Sequence, residues 1–211
     1  MKLLNYLSVL FLFALSNSVS AIEYRLAQGV ELKVINGEKV ENDESPEFKT
    51  GMNQLVVKYS GRVRKNSKSE YLSTMPYIVL VRLETEDTLS ISLISDDYKV
   101  LVDKQNKGEP IFIVKKNGEF VDEQNLLLAK NNGLFPYSNL VDLVKEYNNE
   151  KGIIVDSGTL RDLKEELSML NLGNNKIKNY DSEATLQLKI WYSKATEEER
   201  IKFLEWAKLA K

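Results

Sequence analysis

Apolar and charged residues alternate with a period of two near the start of the chain. Val30, Leu32 and Val34 are separated by charged residues, and the run ends at Asn36-Gly37 before a second short run. Alternate side chains of a strand point to opposite faces, and Asn-Gly accepts the positive φ angles of a two-residue turn. The pattern therefore predicts a β-hairpin.

Four further segments have the composition of strands. Gln54–Tyr59 places Leu55, Val57 and Tyr59 on one face, and Leu89–Leu93 alternates aliphatic residues with serine. Tyr77–Leu83 is almost entirely apolar, which is typical of a central strand covered on both faces. Ile111–Val121, with Asn117-Gly118 inside it, repeats the hairpin pattern. Short strands separated by turns indicate an antiparallel sandwich or a small barrel.

The period becomes helical after Asn131-Asn132-Gly133. Apolar residues then recur at spacings of three and four, which predicts four helices. The first occupies Ser138–Gly152, with the serine as N-cap, and the second runs over Leu160–Gly173. The third spans about Ser182–Ser193, and the fourth begins at Thr196.

The last two helices are separated by a very short link. Thr196 and Glu199 match a capping box, and the short link predicts a helix hairpin. We therefore expect an α+β protein with an antiparallel β-sandwich-like N-terminal part. Its β-rich domain covers residues 22–132, and the helical region 133–211 packs on that domain and ends in the hairpin.

The first 21 residues have the pattern of a secretory signal peptide. Lys2 precedes the apolar run Leu3–Leu15, and Val19-Ser20-Ala21 supplies small residues for cleavage. A membrane anchor would need roughly 20 apolar residues, and Ser16-Asn17-Ser18 ends the run too early. We expect cleavage after Ala21, a periplasmic location and a mature chain without a membrane span.

Composition excludes several kinds of chemistry. The chain has neither cysteine nor histidine, which removes thiol nucleophiles, imidazole bases, disulfides and zinc sites of the usual ligands. Carboxylate chemistry, a serine with a lysine base, or a calcium or magnesium site made of oxygens would remain. The net charge of −2 gives no electrostatic footprint for nucleic acid.

Aromatic residues near the C-terminus are candidates for an interaction surface. Trp191, Tyr192 and Trp206, together with Phe203, would form a platform for a sugar or a peptide if they face solvent. Because aromatic side chains bury large areas, the alternative is a packing seam between two helices or between helix and sheet.

A basic cluster is the second candidate. Arg62, Arg64 and Lys65, followed by Lys68, would attract an acidic envelope polymer. The alternative is that these side chains belong to a solvated strand end and loop. Neither interpretation involves a cofactor.

Two acidic runs have ordinary structural explanations. Glu197-Glu198-Glu199 is expected to cap a helix and to lie in solvent rather than to supply catalytic carboxylates. Asp96-Asp97, followed by Asp103, resembles a cation-binding loop but lacks the order of ligands and the glycine of an EF-hand. We therefore predict no catalytic residue and no metal site.

A resemblance to a known family rests on three segments, Val30–Val40, Asn53–Tyr59 and the tail Leu188–Ala207. They look like the YccT family of exported proteobacterial proteins, and the order and length match from the signal peptide to the end. The early arrangement of strand, hairpin and strand is also similar to PEGA-type envelope β-modules.

The resemblance implies a periplasmic protein that acts by binding, with no catalytic residues to carry over. One member of the family is named as a curli synthesis inhibitor, which implies a protein partner such as an extracellular amyloid subunit. The alternative from the residues is a module that binds an envelope glycan or an outer-membrane partner. An enzyme with two carboxylates is permitted, but no motif signals one.

Overall fold

The computed structural model describes residues 22–41, 46–121, 125–130, 135–156, 158–170 and 182–209. The predicted signal segment and the helix stop at Gly173 lie outside these ranges. The described strands are β1 Glu23–Leu26, β2 Val30–Ile35, β3 Glu38–Lys39, β4 Gly51–Lys65, β5 Lys68–Ser73, β6 Tyr77–Leu83, β7 Thr88–Leu93, β8 Phe112–Lys116, β9 Glu119–Phe120, β10 Asn125–Leu127, β11 Ile153–Asp156 and β12 Thr159–Asp162. The described helices are α1 Tyr98–Asn106, α2 Leu140–Lys151, α3 Leu163–Met169, α4 Glu183–Lys194 and α5 Glu197–Leu209.

The strands form two large sheets and one small hairpin. One sheet has the order β1-β7-β8-β9, and the other has the order β10-β6-β4-β2-β3, with β5 paired to the far end of β4. Among the described residues, strands β11 and β12 pair only with each other. Of the strand pairs in the described ranges, all are antiparallel except β1 with β7. In the part of the chain that is described, neither sheet closes on itself, so the small-barrel alternative is wrong and the fold is a mixed α/β arrangement.

The principal hydrophobic core lies between the two large sheets. A single buried cluster includes Leu55 of β4, Val79 of β6, Ile91 of β7 and Val114 of β8, together with Leu101 of α1. Each fully buried aliphatic side chain contributes about 1.5–3 kcal/mol to folding. This shared cluster therefore holds the two sheets together.

Helix α2 covers the opposite face of the larger sheet. Val56 of β4 and Ile78 of β6 pack there against Leu143 and Val144. The same helix is fixed by a buried amide pair, in which Gln54 and Asn148 exchange hydrogen bonds of 2.6 and 3.0 Å. Strand β6 is thus covered on both faces, as its apolar sequence predicts.

The two Asn-Gly hairpins are confirmed. Asn36 and Gly37 have φ angles of 48° and 83°, and Asn117 and Gly118 have φ angles of 53° and 84°. These positive pairs are those of the two-residue turn that matches the twist of the flanking strands. The turns join β2 to β3 and β8 to β9.

The C-terminal helices α4 and α5 begin where their caps predict. The Ser182 hydroxyl accepts a hydrogen bond from the backbone N–H of Thr185. Thr196 and Glu199 form the predicted capping box, since each side chain accepts a hydrogen bond from the other residue's backbone N–H. Gly152 ends α2 with a left-handed φ of 76°, also as predicted.

Other helical predictions need correction. The N-cap of α2 is Asn139 and not Ser138, because the Asn139 side chain accepts from the backbone N–H of Asp142. Leu160 lies in strand β12 and not in a helix. Its pairing with Val155 explains why, and Asp162 then caps a helix that starts only at Leu163.

A small separate core joins the last part of the chain. Leu163 and Leu167 of α3 pack against Leu186 and Ile190 of α4.

No helix within the described ranges is long and apolar enough to cross a bilayer.

Candidate interaction surfaces

The C-terminal helices α4 and α5 carry the largest group of exposed apolar side chains among the described residues. We call this group the aromatic helix surface; it consists of Leu188, Trp191, Tyr192, Ile201, Phe203, Leu204, Trp206 and Leu209. Trp191 is 64% exposed and Trp206 is 63% exposed. The packing-seam interpretation is therefore wrong for both tryptophans within the described chain.

Ring contacts organise this surface around Phe203. Its ring centroid lies 6.5 Å from that of Tyr192 on α4 and 5.8 Å from that of Trp206 on α5. Arg200 donates hydrogen bonds of 2.9 Å to the backbone carbonyl groups of Tyr192 and Ser193, at the end of α4. An open groove of about 400 Å³ separates the two helices beside these contacts.

The two helices differ in how they are anchored. Helix α4 buries Leu186 and Ile190 against α3, so its aromatic residues lie on the opposite side from its core contact. Helix α5 has no buried residue at all. Since residues of a helix follow one another at 100° steps, Ile201 lies on the opposite side of α5 from Phe203 and Trp206, which share one side. This helix exposes apolar groups around most of its circumference.

The second candidate surface is the outer edge of strand β5, which we call the β5 edge. The hairpin β4–β5 turns at Asn66, whose φ is 57°, and pairs Lys65 with Lys68 and Arg64 with Ser69. Within the described residues β5 pairs with β4 alone. Its other side therefore carries backbone groups without a strand partner there.

Register identifies the backbone groups that face outward. Arg64 donates its backbone N–H to the carbonyl of Asp96 at 2.7 Å, away from β5. Opposite residues of an antiparallel pair alternate between hydrogen-bonded and non-hydrogen-bonded positions. Ser69, Tyr71 and Ser73 accordingly occupy the non-hydrogen-bonded positions, and their N–H and C=O groups point outward from the β5 edge.

The basic cluster is divided by the same hairpin. Arg62 and Arg64 alternate with the buried Val63, so they lie on its solvent face, whereas Lys65 lies on the other face. Arg64 pairs with Asp96 at 3.3 Å, and Lys65 contacts the ring of Tyr98 at 4.4 Å to the centroid. The three cations therefore do not form one patch, and two of them already have partners.

The acidic runs have the structural roles expected of exposed charges. Asp97 is the N-cap of α1, where its carboxylate accepts hydrogen bonds from two backbone N–H groups. Asp103 pairs with Lys107 one turn later. In the part of the chain that the structure describes, no three acidic side chains are grouped as ligands for a metal ion.

Perturbed pKa values also mark structural positions. The backbone N–H of Glu84 and the amide of Asn117 hold the pKa of Asp87 below its usual range. Burial raises the pKa of Tyr77 to about 12, and its hydroxyl donates to the carbonyl of Glu109. Both groups stabilise connections between strands.

Sequence reasoning found the aromatic helix surface but missed the β5 edge. The segment Lys68–Ser73 buries only Leu72, which leaves too little alternation to indicate a strand. A signal was present in Asn66, because asparagine tolerates the positive φ of a tight turn. The three basic residues before Asn66 were interpreted as a charged cluster, so the hairpin was not predicted.

Comparison with known proteins places the chain in a family. Residues 25–206 match the family model described as "Uncharacterized protein conserved in bacteria (DUF2057)". A UPF0319 protein of Vibrio vulnificus is 23% identical over 91% of this chain and 92% of its own. A UPF0319 protein of Vibrio parahaemolyticus is 28% identical over 85% of this chain and 82% of its own chain. A UPF0319 protein of Haemophilus influenzae is also 28% identical, over 75% of this chain and 74% of its own chain. No solved structure gives a significant match. The chain belongs to the DUF2057 family of bacterial proteins.

Proposed function

We propose that this protein is a non-enzymatic periplasmic binding protein that restrains the assembly of an extracellular amyloid subunit of the curli type. The resemblance to the YccT family suggests the client, and the β5 edge supports the mode of binding. Its outward-facing backbone groups at Ser69, Tyr71 and Ser73 are the observation that carries the proposal.

Strand addition explains how such an edge would stop amyloid growth. Amyloid extends when a new strand pairs with the exposed edge of the last one. When a client strand pairs with the outer edge of β5, the other edge of β5 is already paired with β4 over six residue positions. The client edge is then occupied by a folded protein that offers no further edge in the same direction.

Side chains beside the edge favour an extended polypeptide. Tyr71 is 62% exposed and lies opposite Arg62 on the solvent face of the hairpin. Aromatic side chains stabilise cross-strand neighbours, and an arginine beside them discourages this protein from pairing with its own copies through the same edge.

The envelope-glycan alternative has weaker support. A patch for an acidic polymer needs several unpaired cations on one face. Arg64 is paired with Asp96, and Lys65 lies on the other face of the hairpin.

We also infer that the two large sheets act as a sandwich-like scaffold, with α4 and α5 as a helix hairpin beside them.

Polymerisation kinetics test the proposal by removing one outward-facing backbone N–H group. Ser69→Pro removes an outward N–H and leaves the bonds between β4 and β5 intact, and Ser69→Ala is the matched control that keeps this N–H. At equal molar amounts we expect the unmodified protein and Ser69→Ala to lengthen the lag time of curli-subunit polymerisation several-fold. Ser69→Pro should lose most of this effect. Equal lag times with and without the unmodified protein would reject the client, and equal inhibition by Ser69→Pro would reject the β5 edge.

A further inference from the structure

We propose that the β5 edge is selective, and that it binds antiparallel strands in which an apolar residue, a cation and an acidic residue follow one another at alternate positions. This inference rests on the proposed function, because it names the kind of segment that the same edge accepts. It starts from three side chains of β5 that share one face, namely Lys68, Glu70 and Leu72.

These three side chains lie on the core side of the β4–β5 hairpin. Leu72 is 6% exposed and belongs to the principal core cluster. Glu70 and Lys68 follow at steps of two, so they lie on the same face but in solvent. Lys65, which is directly opposite Lys68, contacts the ring of Tyr98 on this face. Towards the hairpin turn, the edge therefore presents an apolar, an acidic and a basic side chain in succession.

Register brings these side chains closest to a bound strand. The outward N–H and C=O groups of Ser69, Tyr71 and Ser73 would bond to the client residues directly opposite them. The positions between them are then non-hydrogen-bonded pairs, in which the Cα atoms are about 4.5 Å apart rather than about 5.5 Å. Lys68, Glu70 and Leu72 occupy these closer positions. Their side chains therefore discriminate between client strands more strongly than Tyr71 does.

Each of the three side chains favours a different client residue. An apolar residue opposite Leu72 extends the principal core, whereas a charge there would be desolvated. A cation opposite Glu70 forms a favourable cross-strand pair. The nitrogen of Lys65 lies 3.7 Å from the Glu70 carboxylate, but it approaches from β4, on the side away from the client. Lys68 has no acidic partner among the described residues, so an acidic residue opposite it is favoured.

Strand direction fixes the order of the three client residues. Antiparallel pairing is slightly more stable per residue than parallel pairing. An antiparallel client runs opposite to β5, so its residue facing Leu72 comes first, the residue facing Glu70 comes second and the residue facing Lys68 comes last. From the N-terminus, the preferred segment thus reads apolar, cationic and acidic, with one residue between each.

A second copy of β5 matches this edge less completely than such a client. Two β5 strands that pair antiparallel about Ser69 would set Lys68 of each copy opposite Glu70 of the other. Leu72 would then face Asn66, which belongs to the turn and has a φ of 57°. Two of the three positions are matched in that pair, whereas the proposed client matches all three.

Nuclear magnetic resonance titration of the isotope-labelled protein with two synthetic peptides tests the selectivity. The matched peptide carries valine, lysine and aspartate in that order, with threonine between them and at both ends, and the control peptide exchanges the lysine and the aspartate. Shifts of the amide signals of Ser69, Tyr71 and Ser73 show whether a peptide lies at the β5 edge. We expect the matched peptide to bind about tenfold more tightly, because the exchange converts two favourable pairs into like-charge pairs.

A spin label on the N-terminus of the matched peptide tests the direction. In an antiparallel complex this terminus lies near the end of β5, so the label should broaden the amide signal of Ser73 more than that of Ser69. Stronger broadening at Ser69 would overturn the antiparallel arrangement.

Charge exchange on the protein tests which residues discriminate. Glu70→Lys combined with Lys68→Glu should invert the preference, so that the control peptide binds about tenfold more tightly. Both residues are exposed, so the variant should fold. Glu38→Lys combined with Lys39→Glu is the matched control, because it makes the same exchange on the exposed strand β3, and it should keep the original preference.

The possible failures are distinguishable. Equal affinity for the two peptides, with shifts at the β5 edge, would overturn the selectivity and leave strand addition in place. The absence of shifts at Ser69, Tyr71 and Ser73 with either peptide would overturn both the selectivity and the edge. An unchanged preference in the exchanged variant would overturn the roles of Glu70 and Lys68. A dimer of the protein alone that Glu70→Lys dissociates would assign the edge to a second copy instead.

Discussion

The buried amide pair between Gln54 and Asn148 makes the most quantitative prediction about the fold. Gln54 is 1% exposed on strand β4, and Asn148 is 7% exposed on helix α2, 94 residues later. Each side chain satisfies the other by two hydrogen bonds. Gln54→Met keeps the approximate shape of the side chain but leaves both polar atoms of the Asn148 amide without their partner.

The expected cost follows from the two groups left unsatisfied. Each buried polar group without a hydrogen bond costs about 1–3 kcal/mol, so Gln54→Met should lower the free energy of unfolding by about 2–6 kcal/mol. Asn148→Leu, which has the same branching, should cost a similar amount. The double variant removes both polar ends and should cost only about 1 kcal/mol, less than either single change.

Urea unfolding measures the complete cycle. With a slope of about 2 kcal/mol per molar urea, the single variants should lower the midpoint by about 1–3 M. Asn149→Leu is the control, because Asn149 is the exposed neighbour on α2 and should shift the free energy by no more than about 0.5 kcal/mol. Additive losses in the double variant, or single losses below about 1 kcal/mol, would refute the proposed role of this pair.

Three further predictions concern other parts of the molecule. Gly61→Ala places a methyl group 2.6 Å from the Tyr59 hydroxyl, so the tyrosine ring must move. Urea unfolding should show that the free energy of unfolding falls by about 1–3 kcal/mol, and an unchanged midpoint would contradict this. The lowered pKa of Asp87 adds stability that is present above the unfolded-state value of about 3.9 and is lost as pH falls through the folded-state value. Asp87→Asn should therefore show a flatter decline of the urea midpoint below about pH 4, and parallel curves would reject this assignment. Thr196→Ala removes the N-cap of α5 and should reduce the local stability of this helix start by about 1 kcal/mol. Hydrogen exchange there should become about fivefold faster, and the main urea transition should not shift. A shift of the main transition would show that α5 belongs to the core.

Much of the fold could be predicted from the sequence because turns and helix caps depend on interactions between neighbouring residues. The Asn-Gly turns needed only the conformational preference of two residues, and the caps Ser182 and Thr196 needed only side chains within three residues of a helix start. Tyr77–Leu83 was readable because a strand covered on both faces has no polar side to alternate with.

Long-range pairing accounts for what the sequence did not reveal. Strand β1 pairs in parallel with β7, whose partner residues lie 65 positions later, and no local pattern encodes that contact. The same is true of Gln54, a polar residue whose burial depends on Asn148. The sequence left open whether the aromatic residues of α4 and α5 face solvent or form a packing seam, because that depends on a covering element, and α5 has none within the described chain.

Hydrogen exchange of the protein, alone and with the amyloid subunit, tests the central claim most directly. The account predicts that the client protects the outward-facing backbone N–H groups of β5, at Ser69, Tyr71 and Ser73, and leaves exchange in α4 and α5 unchanged. Protection confined to α4 and α5, or no protection of β5 under conditions in which polymerisation is delayed, would contradict strand addition at the β5 edge.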